Sequence, residues 1–232
     1  MTPEAELAFV AAEPREFDGF LRRVKNVRHV TMPYHWVRRG AWKGSPVLLI
    51  ANGAGPVRAQ AAARACGGAA AIINIGFCGA LDRGLKVGDV IAADQVFFRN
   101  QVFDCRGIAT SRVVPRGAVY SSPRIAATAF EKEQLRRSGA IVAQMEAGGI
   151  AEFALSNGIA FYCVRAVSDL ATESFANDFN AALGADGRYR IGRLLGRALL
   201  KPLERLPELM RLKERCERAS EELGEFLDSY SF

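Results

Sequence analysis

Four uninterrupted apolar runs limit how this chain can fold: LAFVAA (residues 7–12), PVLLIANG (46–53), AAIINIGF (70–77) and IAFYCVRAVS (159–168). A strand with one wet face alternates apolar and polar residues, whereas a continuous apolar run has to be covered on both sides. The runs therefore predict buried strands, and VGDVIAADQVFF (87–98) adds another after a turn at DRGLKVGD (82–89). Between them REFDGFLRRV (15–24), PVRAQAAARACGG (56–68) and IAEFALSNG (150–158) read as helices. Strands alternating with helices predict a three-layer α/β/α domain.

The last third has another character. Residues 189–232 read as two or three amphipathic helices broken near Pro202 and Pro207, and residues 187–218 carry ten Lys or Arg against four Glu. That excess equals the formal charge of the whole chain, +6. We divide the sequence into a catalytic-type domain (1–186) and a basic helical extension packed on the same domain (187–232).

Several function classes are disfavoured by composition. No apolar run approaches the roughly 20 residues that span a bilayer. The start, MTPEAELAFVAAEPREF, is acidic and lacks the basic region of a secretory signal. The five cysteines are scattered and never in CxxC spacing, and there are two histidines. That composition predicts no metal centre and reduced thiols in a cytoplasm. Basic residues interleave with aromatics only in MPYHWVRRGAWK (32–43), with no recognised nucleic-acid motif, so no nucleic-acid partner is expected.

Three stretches concentrate polar chemistry. NGAGPVRAQAAARA (52–65) is a strand end, a glycine turn and an Ala-rich helix, a geometry that suits either packing or a ligand at a helix N-terminus. NIGFCGALDRGLKVGDV (74–90) places Gly76 and Gly79 after a buried strand, at the sheet edge where open α/β sheets bind ligands. VRAVSDLATE (164–173) ends the last buried strand on Arg165, Ser168 and Asp169. Read alone, Asp169 is equally a helix N-cap. A fourth stretch, AIVAQMEAGGIAEFA (140–154), reads as a helix that holds Glu146 among apolar residues beside Gly148 and Gly149. Adjacent glycines cost a helix about 1 kcal/mol each, so something packs closely there. A carboxylate in such a place needs a partner.

In order and spacing, NIGFCGALDRGLKVGDV, QMEAGGIAEFA and VRAVSDLA resemble three motifs of the nucleoside phosphorylase/nucleosidase superfamily. The pattern is similar to that of 5′-methylthioadenosine/S-adenosylhomocysteine nucleosidases. RIAATAFEKEQLRRSGA (124–140) and the C-terminal tail look like those of hopanoid-associated members. The resemblance implies an α/β/α domain around a mixed, twisted central sheet, a homo-oligomer, and cleavage of a purine N-ribosidic bond without a cofactor. It implies that Met145 and Glu146 hold the ribose, that Ser168 and Asp169 serve the base with Asp169 protonating or hydrogen-bonding purine N7, and that Gly76, Phe77 and Gly79 line the site. A third carboxylate, Glu16 or else Glu13, would position the nucleophile.

Phosphate-holding residues of the related phosphorylases fall on Glu16, Asn74 and Phe77, so water is favoured over phosphate. Arg15 and Arg38 remain as nearby cations. Gln144 departs from the usual acid before the Met-Glu pair. Adenosylhopane is the implied substrate of the hopanoid branch, with methylthioadenosine, adenosylhomocysteine and futalosine as alternatives. A purine sensor without turnover is the reading from another class. A basic amphipathic tail also fits contact with an anionic membrane surface, at the inner face of a membrane.

Overall fold

The computed structural model describes residues 6–110 and 112–230. Residues 1–5 of the acidic start and 231–232 of the tail lie outside the described residues, as does Ser111. Among the described residues the strands are β1 (Leu7–Ala11), β2 (Lys25–His29), β3 (Trp36–Trp42), β4 (Ser45–Ala51), β5 (Ala71–Ala80), β6 (Val90–Phe98), β7 (Gln101–Asp104), β8 (Arg116–Ser121), β9 (Val142–Gln144) and β10 (Ala160–Asp169). The helices are α1 (Asp18–Leu21), α2 (Pro56–Arg64), α3 (Ala129–Arg136), α4 (Ala147–Ser156), α5 (Phe179–Ala182), α6 (Ile191–Ala198) and α7 (Pro202–Asp228).

The four apolar runs become β1, β4, β5 and β10, adjacent and parallel in the order β10–β5–β1–β4. Their side chains alternate between two cores. Ala8 and Val10 of β1, Leu48 and Ile50 of β4, and Ile72 of β5 pack toward α2 and α4. Phe9, Leu49 and Ile73 pack toward α1 and the C-terminal half of α7, where Phe20, Leu223 and Phe226 close the other core. Both faces are covered, and the expected three layers are present around a mixed sheet.

β5 runs further than its sequence suggests, so Gly76 and Gly79 lie inside the strand rather than after it. Its first half pairs with β1, and its end turns to pair antiparallel with β9, Gly79 opposite Ala143. With β10–β6, β6–β8 and β8–β9 also paired, five strands close into a ring. The basic and aromatic stretch at residues 32–43 contributes β3, antiparallel to β2 and β4. Along one face of β3 Trp42 is buried and Arg38 stacks on the Trp36 ring.

Two helical readings change. REFDGFLRRV forms only a 3-10 turn (Pro14–Phe17) and one turn of α1. Pro207 does not break the tail; α7 starts at Pro202 and runs through it. The proline forfeits only the bond to the carbonyl of Leu203, a fully exposed residue in the first turn, where water is available.

The stretch around Glu146 is also not one helix. Residues 142–144 are β9, and Glu146 is the N-cap of α4. The glycines behind it are there for packing. A Cβ on Gly149 would run into the Pro56 carbonyl of α2, and one on Gly148 into the ring of Phe98. Gly149→Ala is therefore expected to destabilise the chain by about 1–3 kcal/mol, seen as a lower urea midpoint. Gly196 in α6 has nothing within 4 Å of an added Cβ. Gly196→Ala should instead gain up to about 1 kcal/mol of helix propensity. A raised midpoint for Gly149→Ala would refute the close α2–α4 contact.

Candidate active site

β1 ends at Ala11, and the chain turns at once through Glu13-Pro14-Arg15-Glu16. This is a capping box: Glu13 is the N-cap, and the Glu16 carboxylate reaches back to it. Glu16 Oε2 accepts the N–H groups of Ala12 and Glu13, each at 2.8 Å, and Oε1 accepts Phe77 N–H at 2.8 Å. The third bond ties the turn to β5. Gly76 makes this approach possible: a Cβ there would strike Glu16 Oε1 and lie 2.6 Å from Arg165 Nη1, and its φ of +149° is one that side chains rarely adopt. Burial, reinforced by the nearby Glu146 charge, pushes the Glu16 carboxyl up to about 7 despite these bonds. Glu13 is different. It lines the same cavity but ion-pairs with Arg15.

Glu146 is 5% exposed and held from two sides. Its Oε1 accepts Gly55 N–H at 3.2 Å and its Oε2 accepts Met145 N–H at 3.2 Å. The glycine turn at residues 53–55 thus grips a side chain of this chain. Arg165, fully buried on β10, places Nη1 3.8 Å from Glu146 Oε2. Its guanidinium also bonds Asn74 Oδ1, and Gln144 Oε1 at 3.2 Å. The guanidinium thus meets Glu146 directly and acts on Glu16 only through its nearby charge. Gln144 Oε1 receives the N–H groups of Glu146 and Ala147 at the start of α4. Its Nε2 is buried without a partner, and the residue lines the cavity.

Asp169 is the last residue of β10, and no helix starts there. α5 begins ten residues later with Asp178 as its cap. Ser168 Oγ donates to Asp169 Oδ1 at 2.8 Å, and Lys132 Nζ donates to Oδ2 at 2.6 Å. Lys132 also reaches Leu170 O at 2.6 Å and lies 5.3 Å from the centre of the Phe175 ring. Gly79 leaves room for this carboxylate, since a Cβ would stand 2.8 Å from Asp169 Oδ2.

Glu13, Glu16, Phe77, Gly79, Met145, Glu146, Ser168 and Asp169 all line one cavity of about 940 Å³. Gly76 stands just behind it, against Glu16. The ends of β1, β5 and β10 bring these residues together from separate stretches of sequence. Away from the carboxylates one part of the wall is apolar, made by Phe175, Phe179, Leu194, Leu209 and Leu212, while Arg124, Arg188, Arg190 and Lys213 also line the cavity. Among the described residues no three His, Cys, Asp or Glu side chains cluster as a metal site. Cys216 also faces the cavity, where burial pushes its thiol up to about 12.

Lys132 and the apolar wall were not anticipated. Lys132 lies in AFEKEQLR, a charged helix face on which a lysine normally points to water. A sequence model of the Phosphorylase superfamily matches residues 6–129, more than half of the chain. The chain belongs to this superfamily. The superfamily match contains Glu13, Glu16, Gly76, Phe77 and Gly79, while Met145, Glu146, Ser168 and Asp169 lie beyond it.

Solved structures repeat the fold over nearly the whole length. S-adenosylhomocysteine nucleosidase of Streptococcus pyogenes, in complex with 5-methylthiotubericidin, has 18% identity and a TM-score of 0.71, with 98% of each chain covered. 5′-Methylthioadenosine/S-adenosylhomocysteine nucleosidase of Neisseria meningitidis, with methylthio-immucillin-A, has 20% identity and a TM-score of 0.71, covering 97% of this chain and 99% of that one. Futalosine hydrolase of Helicobacter pylori has 14% identity and a TM-score of 0.71, covering 97% and 96%. No curated protein matches the sequence.

Proposed function

We propose that this superfamily member hydrolyses the N-ribosidic bond of a purine nucleoside, with adenine as leaving base and a bulky apolar 5′ substituent. The observation that carries the reading is the one cavity in which Glu16 and Glu146 lie together, Glu146 paired with Arg165, while Asp169 sits apart on Ser168 and Lys132.

The reaction needs charge in two places. As C1′–N9 lengthens, the bonding pair moves onto the purine and the ribose becomes cationic. N7 takes its proton from solvent as the bond breaks, and the Asp169 carboxylate, paired with Lys132, accepts the hydrogen bond of the new N7–H. Glu146 accepts hydrogen bonds from ribose hydroxyls, and Met145 packs on the sugar. Glu16 takes a proton from the water whose oxygen bonds to C1′. A base titrating near 7 is well placed for this at neutral pH.

Water is favoured over phosphate by the charges present. Two carboxylates face the nucleophile end with Arg165 already engaged by Glu146. Of the arginines that line the cavity Arg15 pairs with Glu13, Arg124 with Glu131 and Arg190 with Asp186, while Arg188 makes no ion pair among the described residues. The cavity is near the upper end of the ~300–1,000 Å³ typical of ligand sites, and its apolar arm exceeds the needs of a methylthio group. Adenosylhopane suits that arm. The working unit is proposed to be a homodimer or larger, which sedimentation velocity tests.

Base release decides the matter, measured with methylthioadenosine, adenosylhomocysteine, inosine, futalosine and adenosylhopane, each with and without phosphate. Phosphate-independent release of adenine, fastest with the hopane, is expected. Release only with phosphate would make the protein a phosphorylase. Purine binding without release would make it a sensor.

A further inference from the structure

Twelve large apolar side chains are exposed among the described residues, and half of them fall within residues 191–210: Ile191, Leu195, Leu199, Leu200, Leu203 and Met210. Leu203 is 94% exposed and Leu200 76%. Such a concentration is unusual on a surface facing water alone. It is not the outer side of an otherwise polar bundle. Leu194 and Ala198 already bury the inner side of α6, so Ile191 and Leu195 widen its apolar face outward.

Basic residues flank this face. Arg193 and Arg197 lie on the opposite side of α6, Lys201 sits in the turn to α7, and Arg211 and Lys213 follow Met210. Arg197 pairs with Asp178 and Lys201 with Glu204, both in exposed positions, whereas Arg193 and Arg211 make no ion pair among the described residues. An apolar face with cationic flanks is the pattern of a helix lying in a bilayer interface. A protein–protein interface, by contrast, tends to exclude charge from its centre. α6 is far too short to span a bilayer, and no described helix is long and apolar enough to do so.

The same residues meet the cavity. Ile191, Leu194 and Leu195 line it from α6, as Leu209 and Leu212 do from α7. We propose that the α6–α7 edge docks on an anionic lipid bilayer surface, with Leu199, Leu200 and Leu203 entering the interface. The apolar arm of the cavity then borders the hydrocarbon boundary, so a nucleoside carrying a lipid-like 5′ group enters from the membrane side. The entry route rests on the proposed reaction. The docking itself does not, and its test reads no turnover.

The test is flotation of the full chain with vesicles of phosphatidylcholine alone and of phosphatidylcholine mixed with phosphatidylglycerol. Flotation is expected with the anionic vesicles and should weaken with added salt. The combined substitution Leu199→Ser, Leu200→Ser, Leu203→Ser should lower partitioning by about a hundredfold or more. It should leave the thermal melt unchanged, since these side chains bury little. Arg193→Gln with Arg211→Gln should lower it by about tenfold or more, on the anionic vesicles only. Absence of flotation at low salt, or full flotation by the triple-serine variant, would overturn the proposal. So would self-association in sedimentation velocity that the serine variant abolishes without vesicle binding, which would give this face to a second copy of the chain.

Discussion

Glu16→Gln is expected to lower turnover by about 10²–10⁴-fold while leaving a folded protein, because it removes the group that accepts the proton of water. The pH dependence identifies the role more sharply than the size of the loss. With its carboxyl at about 7, Glu16 is half-ionised near neutrality, so wild-type kcat/KM should rise with pH up to about 7 and level off above. The Gln variant should lack that limb in its residual rate.

Stability should move the opposite way. The carboxyl of an unfolded chain releases its proton near 4.5, whereas the folded site keeps it to about 7. Between those values the folded state binds more protons, so stability falls as pH rises through the window. The loss amounts to about 3 kcal/mol for such a shift. Comparing the slopes of unfolding free energy against pH for the two proteins isolates this group. The wild type should lose about 3 kcal/mol more than the variant between pH 4.5 and 7. Equal slopes, or a fully active Gln variant, would transfer the role to Glu13, the other carboxylate of the turn.

What the sequence discloses follows from how far each interaction reaches along the chain. Runs such as residues 70–77 announce strands because burial on both faces leaves no polar position. The end of β5 is not announced: its bend at Gly76 and its pairing to β9 depend on Glu16 and Arg165 lying 60 and 89 residues away in sequence. β8 and β9 are short strands in a closed ring, placed by partners more than by pattern. Glu146 stood out by its apolar surroundings, yet its neighbour Gln144 reads as a loss of charge. In the fold its amide oxygen caps α4 and meets Arg165, duties that need an acceptor but no charge. Spacing prefers Glu16 to Glu13 only slightly in so short a turn, and the fold separates them: Glu16 accepts the Phe77 N–H of β5, while Glu13 pairs with Arg15.

Lys132 shows the limit most clearly, and its removal carries the second large effect. It is 1% exposed and has Asp169 Oδ2 at 2.6 Å. Taking away one member of a buried ion pair costs about 3–5 kcal/mol, since the other charge is left in a dry place. Lys132→Met should therefore lower stability by that order, and Asp169→Asn, which leaves the buried Lys132 ammonium without its counter-charge, should also cost stability while lowering turnover by about 10²–10⁴-fold. Loss of rate in the Met variant alone would be ambiguous, because a loosened Asp169 also works badly. The leaving group separates the two effects. A p-nitrophenyl riboside departs without a proton, so both variants should cleave it nearly as fast as wild type while failing on purine nucleosides. The double variant Lys132→Met, Asp169→Asn should recover part of the stability lost by Lys132→Met, because no carboxylate then remains uncompensated. Equal losses on both substrates would mean that the pair only shapes the cavity. A selective loss on purines places the Asp169–Lys132 pair at the departing base, with Lys132 acting through Asp169.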